Sequence, residues 1–204
     1  MSKLQRLRDN IEALQHAMTA TSEYDQSILN KYSGFGGLTF VLNPLEPTAW
    51  TKSDMVYYQD TVRLHQLLRE EAGSDKEYQM WMESLKASTL TAYYTPEELI
   101  ARIVDAPNAV GFKTRVVLDP AAGSHGAFAQ YALSSCNMWG NMKGVLYEKD
   151  LLSGLILSRT LSNNRDMTDV RIDGFEHFPD DELGTYDLVS TNVPFGDIRV
   201  FDPE

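Results

Sequence analysis

From about residue 92 the chain alternates short β-branched runs with helix-forming segments, and this alternation restricts the fold more than any other feature. RVVLDP, KGVLYEKD, TDVRIDGF and TYDLVSTNVPFGD read as four strands, with GSHGAFAQYAL and LLSGLILSRTLS as helices between the first three. A strand that feeds a helix and returns needs a right-handed crossover, which makes its neighbour parallel. The expectation is therefore an α/β fold: an open sheet of about four parallel strands with helices on both faces. One more helix precedes the first strand. TPEELIARIVDA offers Thr95 as its cap, Pro96 at the first helical position and Glu98 to complete a capping box.

Residues 1–90 read differently, as a helical N-terminal region ahead of a 91–204 core. Leu4, Leu7, Ile11, Leu14 and Met18 recur at spacings of three and four, one face of a helix. A second helix is expected over 53–71 with Tyr57, Leu64, Leu67 and Leu68 inward. A third starts at Ser74, where Glu77 completes a capping box, and buries Trp81, Met82 and Leu85. Between them, the glycines of KYSGFGGL suit a cap and turn. His16, His65 and His177 are expected at the surface, His125 as a loop filler, and Cys136 as a small buried apolar residue.

Charge narrows the partners. Among 204 residues, 18 Lys and Arg face 29 Asp and Glu, a net charge of −11. From Asp173 to Glu204 there are nine acids and one base, Arg199. A surface that binds a polyanion by releasing counterions needs clustered basic residues, so if this chain works on nucleic acid, most of the phosphate contacts are expected to come from outside these residues. One cysteine and four histidines form no metal-ligand spacing, so no metal is expected. No run nears the roughly 20 apolar residues of a membrane span. A cytoplasmic protein without a membrane partner is the expectation.

Ligands of open α/β sheets bind beyond the carboxyl ends of the strands, and all four ends here carry chemistry. Strand one ends at Asp119 and runs into a turn from Gly123 to Gly126, where missing Cβ atoms let backbone N–H groups approach a ligand. Strand two ends at Glu148, an acceptor suited to a ribose diol. Strand three ends at Asp173, with Phe175 two residues on as an aromatic face for adenine. Strand four ends at Asn192, Val193, Pro194 and Phe195.

DPAAGSHGAF, YEKD, DGF and NVPF, with YYTPEEL upstream, resemble the motif series of S-adenosylmethionine-dependent DNA adenine-N6 methyltransferases. The longer run of KYSGFGGL, AYYTP, DPAAG, YEKDLLSGLI and STNVPFGDIRVFD is similar to the methylase segment of large methylase and helicase fusion proteins of bacterial mobile elements. The resemblance implies a Rossmann-like methyltransferase sheet and a site-specific adenine DNA-methyltransferase activity with S-adenosylmethionine as cofactor. It also implies roles. Asn192 and the Val193 carbonyl would accept the target amine's hydrogen bonds, Pro194 would stiffen the turn, and Phe195 would stack on a flipped base. Tyr94 and Thr95 would reach the cofactor, Thr95 at its carboxylate. Asp119, Pro120, Ala121, Gly123 and Gly126 would surround the methionine moiety, Glu148 would hold the ribose, and Asp173 and Phe175 the adenine.

Two positions depart from the family pattern: His125 lengthens the glycine loop by one residue, and Val193 replaces a usual proline. The sheet is also expected to be truncated after the catalytic motif, which would leave the chain poorly active alone. Two other readings stand beside this one. A protein glutamine methyltransferase uses a similar turn to hold an amide nitrogen, and a cofactor-binding module without catalysis needs only the strand-end residues.

Overall fold

In the computed structural model of the chain, residues 1–21, 23–91, 95–112, 114–135 and 142–193 are described. The four β-branched runs form strands β1 (Val116–Asp119), β2 (Lys143–Tyr147), β3 (Thr168–Arg171) and β4 (Leu188–Val189) of one sheet in the order β3-β2-β1-β4. All three pairings are parallel. The expected parallel α/β sheet is therefore present, compatible with a Rossmann-like fold. Each strand is shorter than its sequence run. Glu148 lies one residue past β2, Asp173 two past β3 and Asn192 three past β4.

Register shows how the faces divide. Val117 pairs with Gly144 and Leu188, and Leu146 with Val170, so with side chains alternating along each strand Val117, Leu146, Val170 and Leu188 share one face. That face receives the three α-helices found among the described residues of the sheet unit: α5 (Glu97–Ala109), α6 (Ala127–Ser135) and α7 (Leu151–Thr160). Ile100, Val104, Phe128 and Ala132 pack around Val117, while Ala129, Leu157 and Leu161 pack around Leu146. Two successive right-handed crossovers in one direction place α6 and α7 on the same side, and the return from β3 to β4 must cross the other.

Among the described residues, the return does not supply the helix expected on the second face. Residues 172–187 hold only two short 3-10 turns, Phe175–His177 and Asp180–Glu182, separated by Phe178 and Pro179. Gly174, Pro179 and Gly184 interrupt every helical register in the segment. Side chains tie it down instead. The Arg171 guanidinium donates to both Glu182 carboxylate oxygens at 3.0 and 2.8 Å and to the Tyr147 hydroxyl at 2.6 Å. Tyr147 meets Phe175 edge-on, Phe175 packs on Phe178, Phe178 on Tyr186, and the Tyr186 hydroxyl donates to Glu182. The six residues close a ring.

Asp187 then anchors β4. Its Oδ2 accepts the Arg115 and Val116 N–H groups at 2.8 and 2.9 Å, while its own N–H donates to the Val116 carbonyl. A two-residue strand has few ladder bonds, so this carboxylate carries much of the pairing. Asp187→Ala should lower stability by about 1 to 3 kcal/mol; urea unfolding measures it, and a wild-type midpoint would show that β4 docks without the carboxylate.

Thr95 does not cap α5 as expected. The Pro96 carbonyl accepts the Leu99 and Ile100 N–H groups, and the helix begins at Glu97. The last turn holds Pro107, whose carbonyl accepts from Val110 and Phe112.

The chain divides into two compact units, Met1–Ala92 and Tyr93–Glu204. The first is helical: α1 (Lys3–Thr19), α2 (Gln26–Leu29), α3 (Met55–Glu71) and α4 (Asp75–Thr91), with 3-10 turns at Thr39–Leu42 and Pro47–Ala49. Leu7, Ile11 and Leu14 of α1 are fully buried, whereas Leu4 and Met18 at its ends are half-buried. Asn10, also fully buried, grips the KYSGFGGL turn: its amide donates to the Gly34 carbonyl at 2.7 Å and accepts the Ser33 N–H at 2.8 Å. Tyr32, Phe35 and Leu38 of that turn lie in the unit's interior. Ser74 receives the Glu77 N–H, and Glu77 in turn accepts the Gly73 N–H. His65 is buried rather than exposed. Its Nε2 meets the Val41 carbonyl at 2.8 Å and its Nδ1 the Tyr78 hydroxyl at 3.1 Å, partners that no local spacing announces.

Candidate functional site

The strand order reverses between β1 and β4, so the crevice at their carboxyl ends is the switch point where such sheets bind ligands. Asp119, the last residue of β1, is completely buried there. Its Oδ1 accepts the Ala121 N–H at 3.2 Å, while Oδ2 has no hydrogen-bond partner. Thr191, two residues past β4, lies beside this carboxyl and favours its charge, yet its buried Oγ1 also falls short of hydrogen-bond geometry. Burial wins over both influences and pushes the Asp119 pKa up to about 6.

Glu148 ties the glycine turn to the second strand. Its Oε2 accepts the Gly123 N–H at 2.7 Å and its Oε1 the Asp150 N–H at 2.8 Å. Burial, then repulsion from Asp150 and Asp119, raises its pKa to about 7 against the opposing pull of the two N–H groups. Asp150 caps α7 through the Ser153 N–H at 2.9 Å. Both raised carboxyls bind protons more tightly folded than unfolded. They therefore contribute stability at low pH that is lost as pH rises, between about 3.8 and 6 for Asp119 and between about 4.5 and 7 for Glu148.

The turn itself is held at both ends. The Ala122 N–H donates to the Tyr147 carbonyl at 2.9 Å, and the Gly126 N–H to the Ala122 carbonyl at 3.1 Å, where α6 begins. Pro120 and Ala121 are half-buried, and Ser124 is fully buried with its hydroxyl unsatisfied. His125 is half-buried, and its carbonyl accepts from the Gln130 side chain at 2.5 Å.

Beyond β3, Phe175 is 40% exposed and rests edge-on against buried Tyr147 with ring centroids 5.4 Å apart. It presents an aromatic surface next to the end of β2. The Asp173 carboxylate is exposed and its Oδ1 accepts the Gly174 N–H at 2.7 Å and the His177 Nδ1 at 2.8 Å. That pair holds Asp173 below the usual carboxylate range and His177 above the usual imidazole one.

Of the residues expected from sequence, the structure joins Asp119, Ala121, Gly123, Glu148 and Phe175 through this chain of contacts. Asn192 and Val193 are exposed directly after Thr191. Thr95 is half-buried, and no hydrogen bond among the described residues links it to the strand ends. Tyr94, Pro194 and Phe195 lie outside the described residues. Sequence reasoning missed Thr191, which sits one residue before a motif it did not belong to. It also missed Asp150, whose spacing to Ser153 is an N-cap signal.

Among the described residues no group of His, Cys, Asp and Glu is placed to hold a metal ion, and no helix is long and apolar enough to cross a membrane. No protein-family model, curated protein or solved structure matches the chain.

Proposed function

We propose that the chain is the cofactor-binding and catalytic part of an enzyme that transfers a methyl group from S-adenosylmethionine to the exocyclic amine of adenine in DNA. The observation that supports this reading is the parallel pairing of β4 with β1, with Val189 beside Leu118 and the Ser190 N–H on the Leu118 carbonyl at 3.1 Å, so that the chain runs on through Thr191 to Asn192 from the carboxyl end at which β1 presents Asp119. The residues fit such a cofactor. Asp119 offers a buried oxygen without a partner, Glu148 has a spare lone pair on each oxygen, and Phe175 exposes a ring.

When bound, the cofactor supplies a sulfonium-activated methyl group, so the chain's own work is positioning. An adenine amine is a weak nucleophile because its lone pair is delocalised into the ring. Acceptors on both N–H bonds draw that nitrogen toward tetrahedral geometry and return the lone pair to it. The Asn192 side-chain oxygen and the Val193 carbonyl fill those roles, and both residues are exposed enough to meet a base taken out of its stack.

Calorimetry with S-adenosylhomocysteine tests the cofactor half. Charge-assisted bonds to a ribose diol are worth about 1.5 to 3 kcal/mol each, so Glu148→Ala should weaken binding roughly tenfold or more. Hydroxyl donors prefer the ionised acceptor, so wild-type affinity should rise between pH 6 and 8 as Glu148, with its pKa of about 7, loses its proton. A flat pH profile together with an unchanged Glu148→Ala affinity would place the ligand elsewhere. Tritium transfer tests the other half: label in protein rather than DNA would favour an amide substrate, a reading in keeping with the acidic end of the chain.

A further inference from the structure

The contact between His177 and Asp173 lies at the surface, outside the sheet and its buried clusters. Both side chains are more than half exposed, at 63% and 53%, and both belong to the turn that follows β3. Left alone, an exposed aspartate samples several rotamers and makes a poor recognition group. Here two donors converge on a single oxygen: the Gly174 N–H at 2.7 Å and the His177 Nδ1 at 2.8 Å both reach Oδ1. Neither bond uses Oδ2. The carboxyl plane is fixed by its neighbours, and one oxygen is left for something else. Phe175, between the two residues in sequence, is braced by Tyr147 and Phe178 with its ring 40% exposed.

We propose that His177 is a positioning residue for base recognition: its imidazole locks Asp173 so that Oδ2 accepts the 6-amino group of a purine lying on Phe175. The inference rests on the cofactor reading above, in which Asp173 and Phe175 already meet the adenine, and adds to it His177 as the group that sharpens the choice of amino-purine over oxo-purine. An amine donates to a carboxylate, whereas a 6-oxo group presents a second acceptor and is repelled. Lys149 and Glu176, which pair with each other next to this turn, are the other charged groups His177 faces. Their charges largely offset, so the donor from His177 is the local feature that distinguishes a locked from a loose Asp173.

The test compares two probes, S-adenosylhomocysteine and its deaminated 6-oxo counterpart S-inosylhomocysteine, by calorimetry on the full chain. Wild type should prefer the amino form by about tenfold or more, a hydrogen bond gained against a repulsion. His177→Ala should cut that preference by roughly threefold or more, the loss of one orienting bond. His177→Asn, which places an amide N–H near the Nδ1 position, should restore most of it. Asp173→Ala should abolish it. General loosening of the fold lowers both affinities together and leaves the ratio alone. A ratio kept in His177→Ala but lost in Asp173→Ala overturns the positioning role and spares the adenine reading. A ratio kept in Asp173→Ala, or absent in wild type, overturns the adenine reading and the inference with it.

Discussion

Replacing Gly126 with alanine should destabilise the sheet unit by roughly 2 to 5 kcal/mol, the larger of the stability effects expected in this chain. Two costs add. Gly126 has φ +56°, a left-handed conformation that costs an L-residue about 1 to 2 kcal/mol. A Cβ there would also stand 2.5 Å from Leu146 Cδ2 and 3.0 Å from Leu157 Cδ1, both in fully buried side chains. Crowding of a packed core adds about 1 to 3 kcal/mol. Gly184 separates the two, because it has φ +77° with open space around its would-be Cβ. Gly184→Ala should therefore cost only the conformational part. Thermal unfolding should show a drop of roughly 4 °C or more per kcal/mol for a unit of this size. Equal shifts in the two variants would mean that α6 does not pack on β2 and α7 as tightly as the geometry states. The close approach has a purpose beyond stability: it brings the N-terminal end of α6 down onto the sheet, where the Gly123 N–H reaches Glu148.

What sequence made legible and what it hid follow from the range of the forces involved. Alternation of β-branched runs with helices implies parallel pairing because a crossover connection leaves no other choice, whereas the β3-β2-β1-β4 order, which crossover handedness does not dictate, is seen only in the structure. The Ser74 and Glu77 cap and the buried stripe of α1 are local, so three- and four-residue spacings disclosed them. The 172–187 crossover is not helical because Gly174, Pro179 and Gly184 break it, yet what holds it is a ring of six side chains drawn from β2, β3 and the crossover itself. No periodicity encodes such a ring. His65 was misread for the same reason. Its two partners are 24 and 13 residues away, and a histidine with both nitrogens satisfied can sit in a core.

The site shows a similar division. Asp119, Glu148 and the glycine turn were readable since each lies at a strand end, and the sheet aligns those ends. Their electrostatics were not. Nothing in the spacing of Glu148 and Asp119 foretells that burial lifts both into the range where they exchange protons near neutrality, or that Thr191 would be the neighbour of Asp119. Thr95 shows the opposite error. Its place before Pro96 and Glu98 fits a capping box, but with Pro96 as the first acceptor the helix begins one residue later.

The prediction with the largest effect on activity concerns Asn192. Under the proposed function, Asn192→Ala should reduce methyl transfer by about a hundredfold or more, in line with the loss of one preorganised hydrogen-bonding group at a reacting centre. Affinity for S-adenosylhomocysteine should stay within about twofold, because Asn192 is exposed past β4 and bonds to neither Asp119 nor Glu148. The substrate matters to the measurement. Taking a paired adenine out of duplex DNA costs a few kcal/mol, and a chain of net charge −11 has little to offset it with. An adenine opposite an abasic site is already half released, so the wild type should methylate it faster than a paired one. The Asn192→Ala loss should be similar on both substrates, since the residue acts on the amine after the base has left the stack. A loss confined to the paired substrate would assign Asn192 to base extrusion. Transfer that survives the substitution on both would remove it from the chemistry and leave the strand ends as a binding site alone.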